Sequence, residues 1–201
     1  PTASTACRDR IPQVVVLSSL MPGRILLDAC VLYPTVMREM LIGVAGKGAF
    51  TPLWSPRILE EWARAAIKIS PEGETWARAE IALLRSGWPK SEIQPRSGLE
   101  QRLYLPDEND IHVLAAAISG SADMIMTLNK KDFPRHTLAE EGLERIDPDG
   151  YLYALWLKDR SIVEQVANDV TAQAHRLSGE DWTPCALLKK ARMPRLAKAL
   201  S

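Results

Sequence analysis

Short apolar runs and segments with helical spacing alternate along most of the chain. The stretch "RILLDACVLYP", residues 24–34, begins with a run typical of a buried parallel strand, and later short runs of the same kind are "TPLW", "DMIMTL" and "LERI". Between these runs, apolar residues recur at helical spacing, as they do at 37, 40, 41 and 44. Strands that alternate with helices predict an α/β fold with a mostly parallel sheet and helices on both faces.

The same pattern divides the chain into three parts. Residues 21–158 contain the strands and the helices between them, and they are expected to form one domain. Residues 1–20 are expected to be an N-terminal extension or a tag outside the core. Residues 159–201 are expected to form a helical C-terminal segment, with a helix near 162–177 that packs on the domain. From Lys189 onward this segment is basic, and we expect its charged face to be solvated and its end to be dispensable for the chemistry.

Composition narrows the class of protein. The chain has 201 residues, of which 46% are hydrophobic and 25% charged, which predicts a soluble globular protein with one well-filled core. Lys plus Arg equals Asp plus Glu at 25 each, so any signal for a nucleic-acid partner must be local. The widely spaced Cys7, Cys30 and Cys185 form neither a metal-binding pair nor a disulfide framework, which favours a reducing cytoplasm. No apolar stretch approaches the roughly 18 residues of a membrane span.

Acidic residues stand at positions where chemistry is an alternative to a structural role. A buried carboxylate at Asp28 is either satisfied by local hydrogen bonds or stands at the carboxyl end of the first strand, where ligands bind in open α/β sheets. On the helix after "TPLW", Glu61 lies on the shoulder of the apolar face, whereas Glu60 points to the far side. In "DENDIHVLAAAIS", Asp110 is expected to point inward and His112 outward.

Three further polar residues near these positions can be explained by a local structural role. Asp107, three residues before Asp110, fits a helix N-cap, and Asn129 and Asp132 fit an Asx-type turn. Four carboxylates are nevertheless expected at or near one edge of the sheet, namely Asp28, Glu61, Asp110 and Asp132. Such a cluster is unfavourable unless it is protonated or neutralised by a cation. Oxygen-only ligands favour Mg²⁺ or Mn²⁺ over Zn²⁺.

Basic residues near this edge are candidates for contacts with the phosphates of a substrate. They are Arg38 and the adjacent pair Lys130 and Lys131. Since basic side chains on exposed helices and turns are usually only solvated, these residues are weaker candidates than the acids.

Four quoted segments carry a family resemblance: "LLDACVLYP", "WSPRILEEW", "LPDENDIHVLAAAISGSADMIMTLNKKDFP" and "LLKKARMPRLAKAL". Together they resemble PIN-domain ribonucleases, in particular the VapC-type toxins of bacterial type II toxin–antitoxin pairs that carry an extra C-terminal segment. The resemblance covers about residues 21–155 and, more weakly, the tail. Its most specific part is a D-x-H-V-L-A-A-A helix followed by T-x-N-x-x-D-F-P.

The resemblance implies a three-layer α/β/α fold and hydrolysis of RNA phosphodiester bonds with Mg²⁺ or Mn²⁺. The catalytic and metal-binding acids that it implies are Asp28, Glu61, Asp110 and Asp132, the first and third of them as main ligands. The supporting residues are Thr127, Asn129 and Asp107. The expected partners are an RNA substrate and a small antitoxin protein, and similar toxins often form homodimers.

Two positions depart from the pattern and leave alternatives open. Cys30 stands where many PIN domains have Asn, and Asn129 stands where many have another Asp. These departures support a catalytically silent PIN-like binding module as the first alternative. The second is a phosphatase of the haloacid dehalogenase type, which also begins with a strand ending in Asp. That chemistry requires a second Asp two residues later, at the position that Cys30 occupies.

Overall fold

A four-stranded, all-parallel sheet forms the centre of the protein. The computed structural model describes residues 23–68 and 70–201, so the predicted extension at 1–20 lies outside the described residues. The strand order is β2-β1-β3-β4. The strands are β1 (Arg24–Leu27), β2 (Thr51–Leu53), β3 (Met124–Met126) and β4 (Glu144–Ile146). The predicted α/β fold with a parallel sheet and flanking helices is confirmed.

Helices occupy most of the remaining described chain. Up to the end of the sheet they are α1 (Ala29–Leu32), α2 (Thr35–Gly46), α3 (Pro56–Ala66), α4 (Gly73–Gly87), α5 (Ile111–Ser119) and α6 (Arg135–Glu140). After the sheet come α7 (Pro148–Lys158), α8 (Arg160–Ser178), α9 (Pro184–Lys190) and α10 (Pro194–Ala199). Two 3₁₀ turns, Leu99–Arg102 and Glu108–Asp110, precede α5. No described helix is both long and apolar enough to cross a bilayer.

Parallel pairing of the two central strands, β1 and β3, brings their carboxyl ends together. Leu26 pairs with Leu53 on one side and with Ile125 on the other, and all three side chains are fully buried. These strands carry no alternating polar face, as expected for a parallel sheet covered on both sides. Asp28 leaves β1 and Thr127 leaves β3 at neighbouring points of the same edge, because the backbone N–H of Asp28 donates to Met126 O at 3.2 Å.

The C-terminal segment is helical, as predicted, and it packs against the rest of the protein. Helix α8 packs on α2 and α7, and α10 packs on α7 and α9. The absence of a side chain at Gly43 permits the first of these contacts, because a Cβ there would lie 2.5 Å from Val166 Cγ1. Buried apolar residues of α9, α10 and their connection belong to the main core: Leu187, Leu188, Met193, Leu196 and Ala197. This burial argues against the expectation that the end of the chain is dispensable.

A buried carboxylate fixes the last helix to α7. Asp149 is 8% exposed, and its two oxygens accept hydrogen bonds at 2.9 Å from the backbone N–H groups of Arg195 and Leu196. These groups lie in the first turn of α10, where a helix leaves its N–H groups without intrahelical partners and favours negative charge. The basic residues of the tail are exposed, as expected: Lys189, Lys190, Arg192, Arg195 and Lys198.

Candidate metal centre

The Asp28 carboxylate is held at the end of β1 by hydrogen bonds from two elements. Its Oδ2 accepts from Thr127 Oγ1 at 2.7 Å and from Cys30 Sγ at 3.0 Å. Asp28 is 7% exposed and Thr127 is fully buried. Both explanations of Asp28 from the sequence therefore hold, since it is locally hydrogen-bonded and also stands at the carboxyl end of a strand.

Three other carboxylates meet beside this edge. Asp107, Asp110 and Asp132 each offer one oxygen, and these oxygens all lie within 4.8 Å of one another. Asp107 is also the predicted cap, because its Oδ1 accepts from the backbone N–H of Asn109 at 2.9 Å. Asn129 Nδ2 donates to Asp110 Oδ2 at 3.0 Å, which connects the loop after β3 to this group. A set of carboxylate oxygens at this spacing fits a hard divalent cation.

Burial and the neighbouring carboxylates both disfavour the charged form of Asp110. The pKa of Asp110 is raised from 3.8 to about 6, first by burial and then by the negative charges of Asp28, Asp107 and Asp132. His112 acts in the opposite direction. Asp28 is therefore electrostatically part of the same centre, although the group of three oxygens does not include it. A cation among these groups would relieve both the repulsion and the cost of burying charge.

Glu61 lies outside the three-carboxylate group and contacts two basic side chains. Its Oε1 is 3.5 Å from Arg57 Nε and 2.9 Å from His112 Nε2. The contact with His112 has ion-pair distance but lacks hydrogen-bond geometry, so neither ring nitrogen has a hydrogen-bond partner among the described residues.

The expected outward orientation of His112 is wrong. His112 is 1% exposed, because α5 is surrounded by other elements and five successive residues after His112 are fully buried. A helical-wheel projection assigns polar residues to the solvent-facing side of a helix, but a helix that is apolar on all sides has no such side. In addition, the turn at Glu108–Asp110 is 3₁₀ rather than α, which changes the rotation per residue just before α5.

Residues 24–131, more than half of the chain, match the family described as the PIN domain. The chain belongs to the PIN domain family. Comparisons with curated proteins and with solved structures gave no match. PIN domains are usually nucleases and typically use divalent metal ions, and the acidic group is compatible with both properties. The matched region includes Asp28, Glu61, Asp107 and Asp110, while Asp132 follows it by one residue.

Cys30 contributes to the geometry of this PIN domain despite its departure from the expected Asn. Its Sγ donates to Asp28 and accepts from the backbone N–H of Leu128 at 3.2 Å. Burial and the neighbouring Asp28 raise the pKa of the thiol to about 12, so it is protonated at neutral pH and can act as the donor. The thiol therefore links β1 to the loop after β3 as a polar side chain would.

The candidates for contact with substrate differ in their accessibility. Arg38 is 3% exposed, donates to Leu32 O at 2.7 Å and pairs with Glu80, which argues against the expected contact with phosphates. Its guanidinium also lies 4.5 Å from the centroid of the Trp62 ring. Lys130 and Lys131 are exposed in the loop that carries Asp132, and their role stays a prediction.

The sequence placed Asp107 among the supporting residues, whereas in the structure its carboxylate is one of the three, with Asp110 and Asp132, whose oxygens lie within 4.8 Å of one another. The signal was its spacing of three residues from Asp110, because a 3₁₀ turn brings residues at i and i+3 to the same side. The sequence turned His112 outward and gave it no role, because a residue pattern contains no direct information on what packs against α5.

Proposed function

We propose that this PIN domain is an endoribonuclease that depends on Mg²⁺ or Mn²⁺ and acts as the toxin of a toxin–antitoxin pair. The main support is the approach of Asp107, Asp110 and Asp132 to within 4.8 Å, beside Asp28. Carboxylates concentrated in this way can bind a cation, and the cation can in turn bind the phosphodiester group of a substrate. Asp28 and Asp110 are the proposed main ligands, and Asp132, Asp107 and Glu61 complete the shell directly or through water.

The chain's own residues prepare this centre. Thr127 and Cys30 orient Asp28, and Asn129 orients Asp110. When bound, a divalent cation supplies positive charge for the phosphoryl oxygens and lowers the pKa of water. Lys130 and Lys131 are proposed to bind phosphates of the RNA.

Cleavage of a single-stranded RNA tests the enzymatic part of this proposal. We expect cleavage with Mg²⁺ or Mn²⁺, none with EDTA, and none for Asp28→Asn. RNA binding without cleavage would instead support the silent binding module. Membership of the PIN family does not support the phosphatase alternative.

The toxin role, the cytoplasmic location, the antitoxin and the homodimer rest on the family resemblance alone. Induced expression in bacteria is expected to arrest growth, and Asp110→Ala is expected to restore it. Continued growth with wild-type protein that is expressed, folded and active on RNA in vitro would contradict the toxin role. If the Asp110→Ala variant also arrests growth, the arrest does not arise from RNA cleavage.

Titration calorimetry with Mn²⁺ is expected to give a binding heat for the wild type and none for the double variant Asp28→Asn/Asp110→Asn. The reason is that the variant removes two charges from the centre while it keeps oxygen atoms of nearly the same size. The matched control is Asp169→Asn, an exposed acid on α8, which should bind as the wild type does. Equal heats for the wild type and the double variant would contradict the assignment of these ligands.

The adjacent glutamates of α3 are expected to differ in their effect on cleavage. Glu61→Gln should lower turnover at least about tenfold, which is about 1.4 kcal/mol of transition-state stabilisation, because Glu61 contacts His112 next to Asp110. Glu60→Gln should leave turnover nearly unchanged, because Glu60 pairs with Arg64 and Arg78 on the protein surface. Single-turnover cleavage of one RNA measures both. Equal losses would contradict the different positions that the helix gives to the two glutamates.

A further inference from the structure

A cleft opens beside the metal centre, between the start of α3 and the loop before α5. Its volume is about 470 Å³, which lies within the range of small-ligand pockets, about 300–1,000 Å³. Its polar lining includes Arg57, Gln94, Arg96, Gln101 and His112. None of these residues is among the proposed metal ligands.

Contacts place the cleft next to the acids. Arg57 Nη2 donates to Asn109 O at 3.4 Å, so the wall of the cleft touches the turn that carries Asp107 and Asp110. His112 lines the cleft and follows Asp110 by two residues. A nucleotide chain held at the metal centre can therefore place a neighbouring nucleotide in this cleft.

His112 gives an independent indication that the cleft holds a ligand. The residue is 1% exposed; its Nε2 lies 2.9 Å from Glu61 Oε1, whereas its Nδ1 has no hydrogen-bond partner among the described residues. Most buried polar groups are hydrogen-bonded, and leaving one unpaired costs free energy. A ligand with hydrogen-bond donors and acceptors would supply a partner for Nδ1.

The other lining groups suit a nucleobase better than a simple anion. The amides of Gln94 and Gln101 both donate and accept, as the edges of bases do, and proteins read unstacked RNA bases through such hydrogen bonds. Arg57 is partly neutralised by Glu61 at 3.5 Å and Glu100 at 3.9 Å. Arg96 is exposed and has no ion-pair partner in the described part of the chain, which leaves it available to a phosphate or to the face of a base.

We infer that this cleft is a base-selective subsite for a nucleotide of single-stranded RNA next to the metal centre. The inference rests on the proposed ribonuclease function and adds a source of sequence preference to it. Gln94 and Gln101 read the base, and His112 forms the polar floor on which it rests.

Binding of labelled RNA tetramers in EDTA tests the subsite without cleavage. The probes are the four homopolymers of A, C, G and U and a tetramer of the same backbone without bases, and the readout is fluorescence anisotropy. Wild-type protein is expected to bind one homopolymer about tenfold more tightly than the abasic probe, which is about 1.4 kcal/mol and within the range of one bidentate amide–base pair. The double variant Gln94→Ala/Gln101→Ala should bind all five probes within about twofold of one another. The control Gln165→Ala/Gln173→Ala, with both changes at exposed positions of α8, should keep the preference.

The outcomes separate this inference from the proposed function. Equal wild-type affinity for all five probes, no binding of any, or a preference that survives in the Gln94→Ala/Gln101→Ala variant would overturn the subsite, even if RNA is cleaved with Mg²⁺. Base-selective binding that the double variant loses would support the subsite, and an absence of cleavage in the same preparation would then overturn only the nuclease function. Thermal unfolding of both double variants checks that they are folded as the wild type is.

Discussion

Asp110→Asn is expected to abolish RNA cleavage and, in the metal-free protein at pH 7, to raise the temperature of unfolding. The loss of cleavage should be at least about a hundredfold, or about 2.7 kcal/mol in activation free energy, because the change removes a proposed main ligand. The gain in stability follows from the same cluster, since Asp110 is partly buried beside the charges of Asp28, Asp107 and Asp132. Asparagine keeps an oxygen that can accept the hydrogen bond from Asn129 and removes the repulsion.

The raised pKa of Asp110 determines how the stability difference between Asp110→Asn and the wild type changes with pH. The pKa of Asp110 is about 6 in the folded protein and 3.8 as its ordinary value, so between these pH values the folded state holds a proton that the unfolded state has released. The contribution of Asp110 to stability therefore falls as the pH rises from about 4 to about 6, and it stays unfavourable above that. The difference between Asp110→Asn and the wild type should grow over this window and then level off.

Thermal unfolding in EDTA across pH 4 to pH 8, followed by circular dichroism, measures this difference. Asp169→Asn on the exposed face of α8 is the control and should show no such window. Addition of Mn²⁺ at pH 7 should stabilise the wild type and not Asp110→Asn, because a bound ion turns the repulsion into attraction. An Asp110→Asn protein that is less stable than the wild type at pH 7 without metal would show that the acids are held by other interactions.

Both the sheet and its acidic edge could be predicted from the sequence, because they depend on local rules. The apolar run after Gly23 specifies β1, although the strand ends at Leu27 and the rest of the run towards Pro34 forms α1. An acid directly after a buried strand must lie at the edge of the sheet. Thr127 and Asp132 follow β3 for the same reason. These positions depend on chain order and strand direction and need no knowledge of side-chain contacts.

The orientation of helical residues was less predictable, because it depends on partners distant in sequence. Arg38 is buried because Glu80, on α4, pairs with it, and no pattern within α2 shows this. His112 faces Glu61 of α3, whereas an isolated wheel of its own helix turns it to solvent. A wheel shows which residues share a face, but tertiary packing decides how many faces are covered.

Truncation after Thr183 is expected to unfold the protein rather than to yield a smaller active nuclease. It removes α9, α10 and the connection between them, whose buried large apolar residues are Leu187, Leu188, Met193 and Leu196. At about 1.5–3 kcal/mol each, their burial contributes about 6–12 kcal/mol, which is comparable with the whole stability of a typical domain, about 5–15 kcal/mol. The truncation also leaves the buried carboxylate of Asp149 without its two backbone donors. The sequence pattern predicted that the basic end from Lys189 onward is dispensable for the chemistry, and the burial of α9 and α10 argues against that expectation.

Two milder variants identify which property of the tail matters. Asp149→Ala should lower the free energy of unfolding by about 2–3 kcal/mol, because two hydrogen bonds to a charged group at the start of α10 are lost.

The triple variant Lys189→Gln/Arg192→Gln/Arg195→Gln should unfold as the wild type does and still cleave RNA, since all three side chains are exposed. Urea unfolding measures the stability of each protein, and cleavage of one RNA measures activity. A truncated protein with wild-type stability would show that α9 and α10 are separable from the core, whereas a triple variant that is folded but inactive would place substrate binding in the tail. We expect the apolar face of the tail, rather than its charge, to be the property that the folded protein requires.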